Sequence, residues 1–269
     1  MRPLLVVDGD SLAHRAYHAM PKTVRLGAIV GFSNMLVRLW QAEEPRAVLV
    51  GWDSIGIPTY RNEAFEAYQS GRHFDPELLE QLDMLPQLVE GLGFASAKGG
   101  GYEADDFLAA AVAHEEGRGG TALVATSDRD AFQLASGQTT ILQPVRGVSE
   151  LARIGPDEVR ERYGVEPEQV ADFIALRGDP SDKLPGATGV GPKKAADVLR
   201  EHGTLEAALE AGRFSTQAEE LRLYRRIATL DASAPLPRLP DQTPTWAEAS
   251  KLVRGWRLNQ LADRLAAMA

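Results

Sequence analysis

Three short runs of apolar, mostly branched residues, PLLVV (3–7), AVLVGW (47–52) and ALVAT (122–126), mark the first half of the chain. Each leads within two residues into an aspartate: Asp8, Asp53 and Asp128. Runs this short, with no polar alternation, read as strands buried on both faces. Helix-period stretches lie between them: residues 27–41, DPELLEQLDMLPQLVEGLG from Asp75, and YEADDFLAAAVAHEEG from Tyr102. Asp75-Pro76 has the form of an N-cap with proline at the first helical position, and Gly91 or Gly93 is the expected stop. Pro86 is expected to kink or split that helix. The alternation predicts an α/β fold, a mostly parallel central sheet with helices on both faces. In such sheets the functional crevice lies beyond the carboxyl ends of the strands, so the aspartates should converge there.

After about residue 155 the strand signals stop. Segments 156–163, 167–177, 192–202, 204–211 and 216–229 read as short helices joined by turns rich in glycine and proline. A proline-rich connector, SAPLPRLPDQTPTW (233–246), precedes a final helical pair. It is expected to lie extended along the body. The organisation this predicts is a core over 1–155, a helical subdomain over 156–235 and a C-terminal extension over 236–269.

Further acids stand at expected helix starts and turns. Asp130 follows Asp128, YEADD supplies Glu103, Asp105 and Asp106 within one helical turn, and GDPSD supplies Asp179 and Asp182. Glu103 and Asp106 should share a face, with Asp105 roughly 100° around from its neighbour. Taken singly, an aspartate after a strand is most often a turn residue or helix cap, and acids in a first helical turn complement the dipole. Nine such acids in one crevice would repel strongly, and hard divalent cations such as Mg²⁺ or Mn²⁺ remove that cost. With no cysteine in the chain, thiolate sites are excluded, and the five histidines (14, 18, 73, 114, 202) show no ligand spacing for zinc.

The formal charge of -9 argues at first against a nucleic-acid partner. If the nine acids serve a cation site, however, the balance of the rest is -9 + 9 = 0. From Lys183 to Arg226, eight Lys and Arg stand against six Asp and Glu, a local +2. PGATGVGPKKAADVL has the form of a tight turn feeding a helix near Pro192. Gly189 and Gly191 would let the backbone approach a phosphate, with Lys193 and Lys194 adding charge at the same end. The plainer alternative is an ordinary helix–turn–helix junction. Contacts of the first kind grip a nucleic-acid backbone without reading its sequence. The N-terminal apolar run is too short for a signal peptide, and no run approaches the length of a membrane span. A cytoplasmic protein with no membrane partner is expected.

The stretches VVDGDSLAHRAYHAM, WDSIGIPTYRNEAFEAYQSGR, GYEADDFLA, TSDRDAFQL and GDPSDKLPGATGVGPKKAADVL resemble the bacterial 5′ nucleases. This family comprises flap endonucleases and the 5′–3′ exonuclease domain of DNA polymerase I. The resemblance covers nearly the whole chain and looks like a stand-alone version. It implies a PIN-like nuclease core, an arch over a displaced strand at about 58–98, and a helix–three-turn–helix in the helical subdomain. It also implies a metal-dependent phosphodiesterase, expected as a monomer, acting on DNA near 5′ flaps, nicks and 5′ ends. By this match Asp8, Asp53, Glu103 and Asp105 surround one metal ion, with Asp106 in support. Asp128, Asp130, Asp179 and Asp182 surround a second, Asp128 facing both. Arg61 and Arg72 reach the phosphate from the arch, and the turn at Gly189, Gly191, Lys193 and Lys194 holds duplex DNA, often with a K⁺.

Two positions depart from the family pattern. Gln69 stands where a lysine is usual in the arch, which removes a positive charge; Arg72 and Lys98 could replace it. Lys183 stands where asparagine is common, and is expected to point outward. Gln69 keeps open a junction-binding protein that has lost catalysis. LLVVDGDSL and GDPSD also resemble a phosphatase of the haloacid dehalogenase type, which leaves YEADD, Asp128, Asp130 and the lysine turn without a role.

Overall fold

The computed structural model describes residues 2–71, 73–146 and 150–269, the side chain of Arg146 excepted. In chain order the elements begin β1 (Leu4–Asp8), α1 (Gly9–Ala19), α2 (Gly27–Glu43), β2 (Ala47–Trp52) and α3 (Tyr60–Ala64). They continue with α4 (Pro76–Gly91), β3 (Ala95–Lys98), α5 (Ala104–Gly117), β4 (Ala122–Ala125), β5 (Thr139–Arg146) and β6 (Glu150–Ile154). Seven helices follow: α6 (Pro156–Tyr163), α7 (Val170–Arg177), α8 (Pro192–His202), α9 (Leu205–Glu210), α10 (Ala218–Ala228), α11 (Trp246–Gly255) and α12 (Asn259–Ala266). No helix among the described residues is long and apolar enough to cross a membrane.

The six strands form one sheet in the order β3-β2-β1-β4-β5-β6, parallel except for the β5–β6 pair. Alternation along each strand divides its side chains between two cores, because successive residues point to opposite faces. Leu4, Val6, Leu49 and Val124 face a core shared with α5, α7 and α8. Leu5, Val7, Val48, Val50 and Leu123 face another, shared with α1, α2, α4, α11 and α12. With both faces covered, strands without polar alternation are the outcome expected for a doubly wound sheet.

Three strands carry no clear sequence signal. β3 is ASAK at the sheet edge, where small residues suffice. β5 contains Pro144, next to a register shift, and β6 is partly exposed. The helix from Asp75 is not split: α4 runs through Pro86, and Asp75 accepts from Glu77 N as its cap. Burial of Leu78, Leu82, Leu85, Leu88 and Val89 on one face offsets the hydrogen bond that proline removes. The chain then stops at Gly93, whose φ of 79° suits glycine alone.

Of the 58–98 stretch, α4 and β3 belong to the body, and it is the segment up to Phe74 that borders the crevice described below. The connector near 233–246 lies against the start of β2. Arg46 donates to Leu239 O at 2.9 Å, and Gln242 exchanges hydrogen bonds with the start of β2.

Candidate metal centre

β1 lies between β2 and β4, so successive crossovers leave it in opposite directions. That reversal opens a crevice of about 620 Å³ beyond the strand ends. Its walls carry all eight sequence-predicted ligands: Asp8, Asp53, Glu103, Asp105, Asp128, Asp130, Asp179 and Asp182. Asp10 makes a ninth carboxylate against the guanidiniums of Arg61, Arg129 and Arg177, a formal charge of -6 from nine acids and three cations.

Local hydrogen bonds fix these acids in place. Asp8 caps α1, accepting from Ser11 N at 2.9 Å and from the Thr126 hydroxyl at 2.7 Å. Asp53 Oδ1 accepts from Ala104 N at the start of α5, and Asp53 N donates to Asp10 Oδ2 at 2.7 Å. Asp128 accepts from Asp130 N. The capping role and the crevice role therefore coexist in the same residues.

Asp179 and Asp182 arrive on a loop made possible by two glycines. A Cβ on Gly186 would sit 2.4 Å from Gly178 N, and one on Gly178 would sit 2.7 Å from Leu184 O. Both have positive φ, 75° and 82°. Only glycine permits this crossing, which brings the loop back against the end of α7. Asp179 is held by Arg177 at 2.9 Å.

The electrostatics are those of crowded, desolvated anions. Burial pushes the Asp8 carboxyl up to about 7, against hydrogen bonds from Ser11 and Thr126 and aided by repulsion from Asp53 and Asp128. Burial, then neighbouring carboxylates, hold Asp10, Asp105 and Asp130 well above the ordinary range. Asp105 Oδ1 is buried with no hydrogen-bond donor. An orphaned carboxylate oxygen among like charges fits an oxygen-ligated divalent cation. Among the described residues, no three acids or histidines form a ready-made cage around a single point.

The role expected of Arg61 needs correction, whereas Asp106 is expected in support of the ligands and not among them. Asp106 does not line the crevice; it is fully buried behind it. There it accepts from Arg61 in a bidentate pair at 2.8 and 2.7 Å, and from Glu103 N and Asp231 N. Arg61 in turn is 2% exposed and does not reach outward. Its Nε donates to Ile227 O at 2.9 Å, and its remaining donors face Asp106, Glu103 at 3.4 Å and Thr229 O. A guanidinium so engaged anchors α3 to α5 and to the end of α10 and keeps no donor for a phosphate. Arg72 lies outside the described residues.

Asp10, Arg129 and Tyr68 also line the crevice, and sequence reasoning passed over them as site residues. The DxD spacing of Asp8 and Asp10 was the available signal for the first; Arg129 sits exposed inside TSDRD. Lys98 ends β3, 3.8 Å from Asp83, and Lys183 points to solvent as expected. Gly189, Gly191, Lys193 and Lys194 are exposed at the start of α8, away from the crevice. Gly191 is the N-cap with Pro192 following it, and a Cβ on Gly189 or Gly191 would meet open space.

A resolvase-like α/β domain with an acidic crevice, continuing into a small helical domain, is the class that this fold and site define. The chain belongs to the 5′–3′ exonuclease family: the N-terminal resolvase-like domain matches residues 3–164 and the C-terminal SAM fold matches residues 165–251. It is 40% identical over 215 residues to DNA polymerase I of Mycobacterium tuberculosis, covering 77% of this chain and 24% of that protein. It is 37% identical over 249 residues to the thermostable DNA polymerase I of Thermus thermophilus, covering 87% and 29%. The chain thus spans about a quarter of the length of these relatives. In fold it is similar to the T5 5′-exonuclease solved with bound zinc, with a TM-score of 0.74, 19% identity and 99% of each chain covered. It is also similar to the catalytic core of Rad2 in complex with DNA substrate, with a TM-score of 0.63, 15% identity, and 98% and 90% covered. The haloacid dehalogenase alternative falls away, since the crevice draws on Glu103, Asp105, Asp128 and Asp130, which it leaves unused.

Proposed function

We propose that the protein is a divalent-metal-dependent, structure-specific 5′ nuclease that hydrolyses DNA phosphodiesters near 5′ ends, nicks and flaps in replication and repair. The observation that carries this reading is the pooling of nine carboxylates at the strand ends, with a buried Asp105 oxygen lacking any donor. Asp8, Asp53, Glu103 and Asp105 would hold one Mg²⁺ or Mn²⁺, and Asp128, Asp130, Asp179 and Asp182 a second, with Asp128 facing both. Such ions keep part of their water shell, so a closed protein cage is not required. Bound there, a pair of ions supplies charge for the phosphate and an acidified water as nucleophile.

The residues of this chain do the remaining work. Asp10 holds the backbone of Asp53, and the Arg61–Asp106 pair fixes the start of α5, so Glu103 and Asp105 keep their orientation. Among the described residues, Arg129 is a guanidinium exposed on the rim that would meet a phosphate. The α8 start would grip the duplex backbone through amides, Lys193 and Lys194, with K⁺ as a further ligand of that turn. We read the protein as a cytoplasmic monomer.

Incubation of the chain with Mn²⁺ or Mg²⁺ and a 5′-labelled flap DNA tests this. Short 5′-derived fragments, abolished by EDTA, are expected. Retention of the DNA without cutting would instead favour the junction-binding reading that Gln69 raises.

A further inference from the structure

Two neutral side chains between α3 and α4 span the crevice from one acidic wall to the other. Tyr68 is buried, and its hydroxyl donates to Glu103 Oε2 at 2.9 Å. The amide nitrogen of Gln69 donates to the Tyr68 hydroxyl oxygen at 2.7 Å and to Asp182 Oδ1 at 3.1 Å. An ionised carboxylate only accepts, which fixes the amide with its nitrogen toward Asp182 and commits both its hydrogens. Glu103 stands at the start of α5 and Asp182 on the loop after α7, so the link joins groups far apart in the chain. Gln69 has a φ of 50°, a conformation that a residue with a Cβ keeps only when its surroundings hold it.

We propose that Tyr68 and Gln69 are positioning residues that tie Asp182 to Glu103 and so set the spacing between the two groups of carboxylates. Outer partners that orient a ligating carboxylate govern ion affinity without touching the ion. A lysine at position 69 would place a positive charge on Asp182, in competition with a cation. Glutamine gives a comparable reach without the charge, so the site depends on geometry. The inference rests on the reading of the crevice as a two-ion site.

The test uses the full chain without DNA, titrated with Mn²⁺ and followed by calorimetry and electron paramagnetic resonance. Gln69→Gly removes the amide and suits the positive φ, while Tyr68→Phe keeps the ring and removes both hydrogen bonds. Each variant should bind one of two ions about tenfold more weakly and the other as the parent does. The signal of a coupled Mn²⁺ pair should then require correspondingly more metal. Unchanged binding of both ions would overturn the bridge and leave the crevice reading intact. Equal weakening of both ions with a lowered melting midpoint would show a merely structural role and overturn it too. A parent chain that binds no Mn²⁺ would refute the ion site itself.

Discussion

Replacing Asp8 with asparagine should stabilise the ion-free protein while abolishing its cleavage. The Asp8 carboxyl is buried and pushed up to about 7 from an ordinary 3.8. The difference of roughly three units, at about 1.4 kcal/mol each, corresponds to about 4 kcal/mol at neutral pH and above. The folded state holds the proton until pH approaches 7, whereas the unfolded chain releases it near 3.8. The contribution of Asp8 to stability is therefore fully present below 3.8, declines above it and is lost once pH has risen through 7. Asparagine has no proton to lose, accepts from Ser11 N as a helix cap equally well, and leaves Asp53 and Asp128 one neighbour fewer to repel. That repulsion is shared, so neutralising any one acid relieves the others, and a net gain of about 1–3 kcal/mol is expected. Urea unfolding in EDTA, followed by circular dichroism between pH 5 and 8, measures it. The variant should exceed the parent at pH 8 by a wider margin than at pH 5, and added Mn²⁺ should narrow or reverse the order. Equal stability of the two at pH 8, with the same pH slope, would refute the view that the acids burden the ion-free fold.

Asp128→Asn should lower flap cleavage by about a hundredfold or more and leave DNA binding by fluorescence anisotropy within a few-fold, since the exposed α8 start does not need that carboxylate. Arg61→Ala strands the fully buried Asp106 and should lower stability by about 3–5 kcal/mol in urea unfolding. Loss of activity without loss of stability would instead indicate contact with substrate. Lys183 has a φ of 61° and an exposed side chain. Lys183→Asn should therefore raise stability by about 0.5–1 kcal/mol, seen as a higher urea midpoint with unchanged slope.

Much of the acidic crevice was legible because its acids follow local rules. Asp8 ends β1, Asp53 follows β2 and Asp128 comes three residues after β4, all strands with continuous apolar runs, and Glu103 and Asp105 open a helix with clear periodicity. The roles of Arg61 and Asp106 were not legible. Residues 45 positions apart meet in a bidentate buried pair, and nothing in either local pattern distinguishes that from exposure at the crevice. Asp10 is masked in sequence by its neighbour Asp8, and Gln69 is locally only a missing charge, because its amide meets Asp182 113 positions away.

The chain's order of residues determined the three central strands, the helical second half and the placement of acids at strand ends, since each follows from periodicity and turn chemistry over a few neighbours. Tertiary structure alone decided which charges face the crevice and which neutralise one another behind it. Burial and pairing depend on contacts between segments brought together only by the folded sheet, and desolvation acts on those contacts at a distance of a few ångströms whatever their separation in sequence.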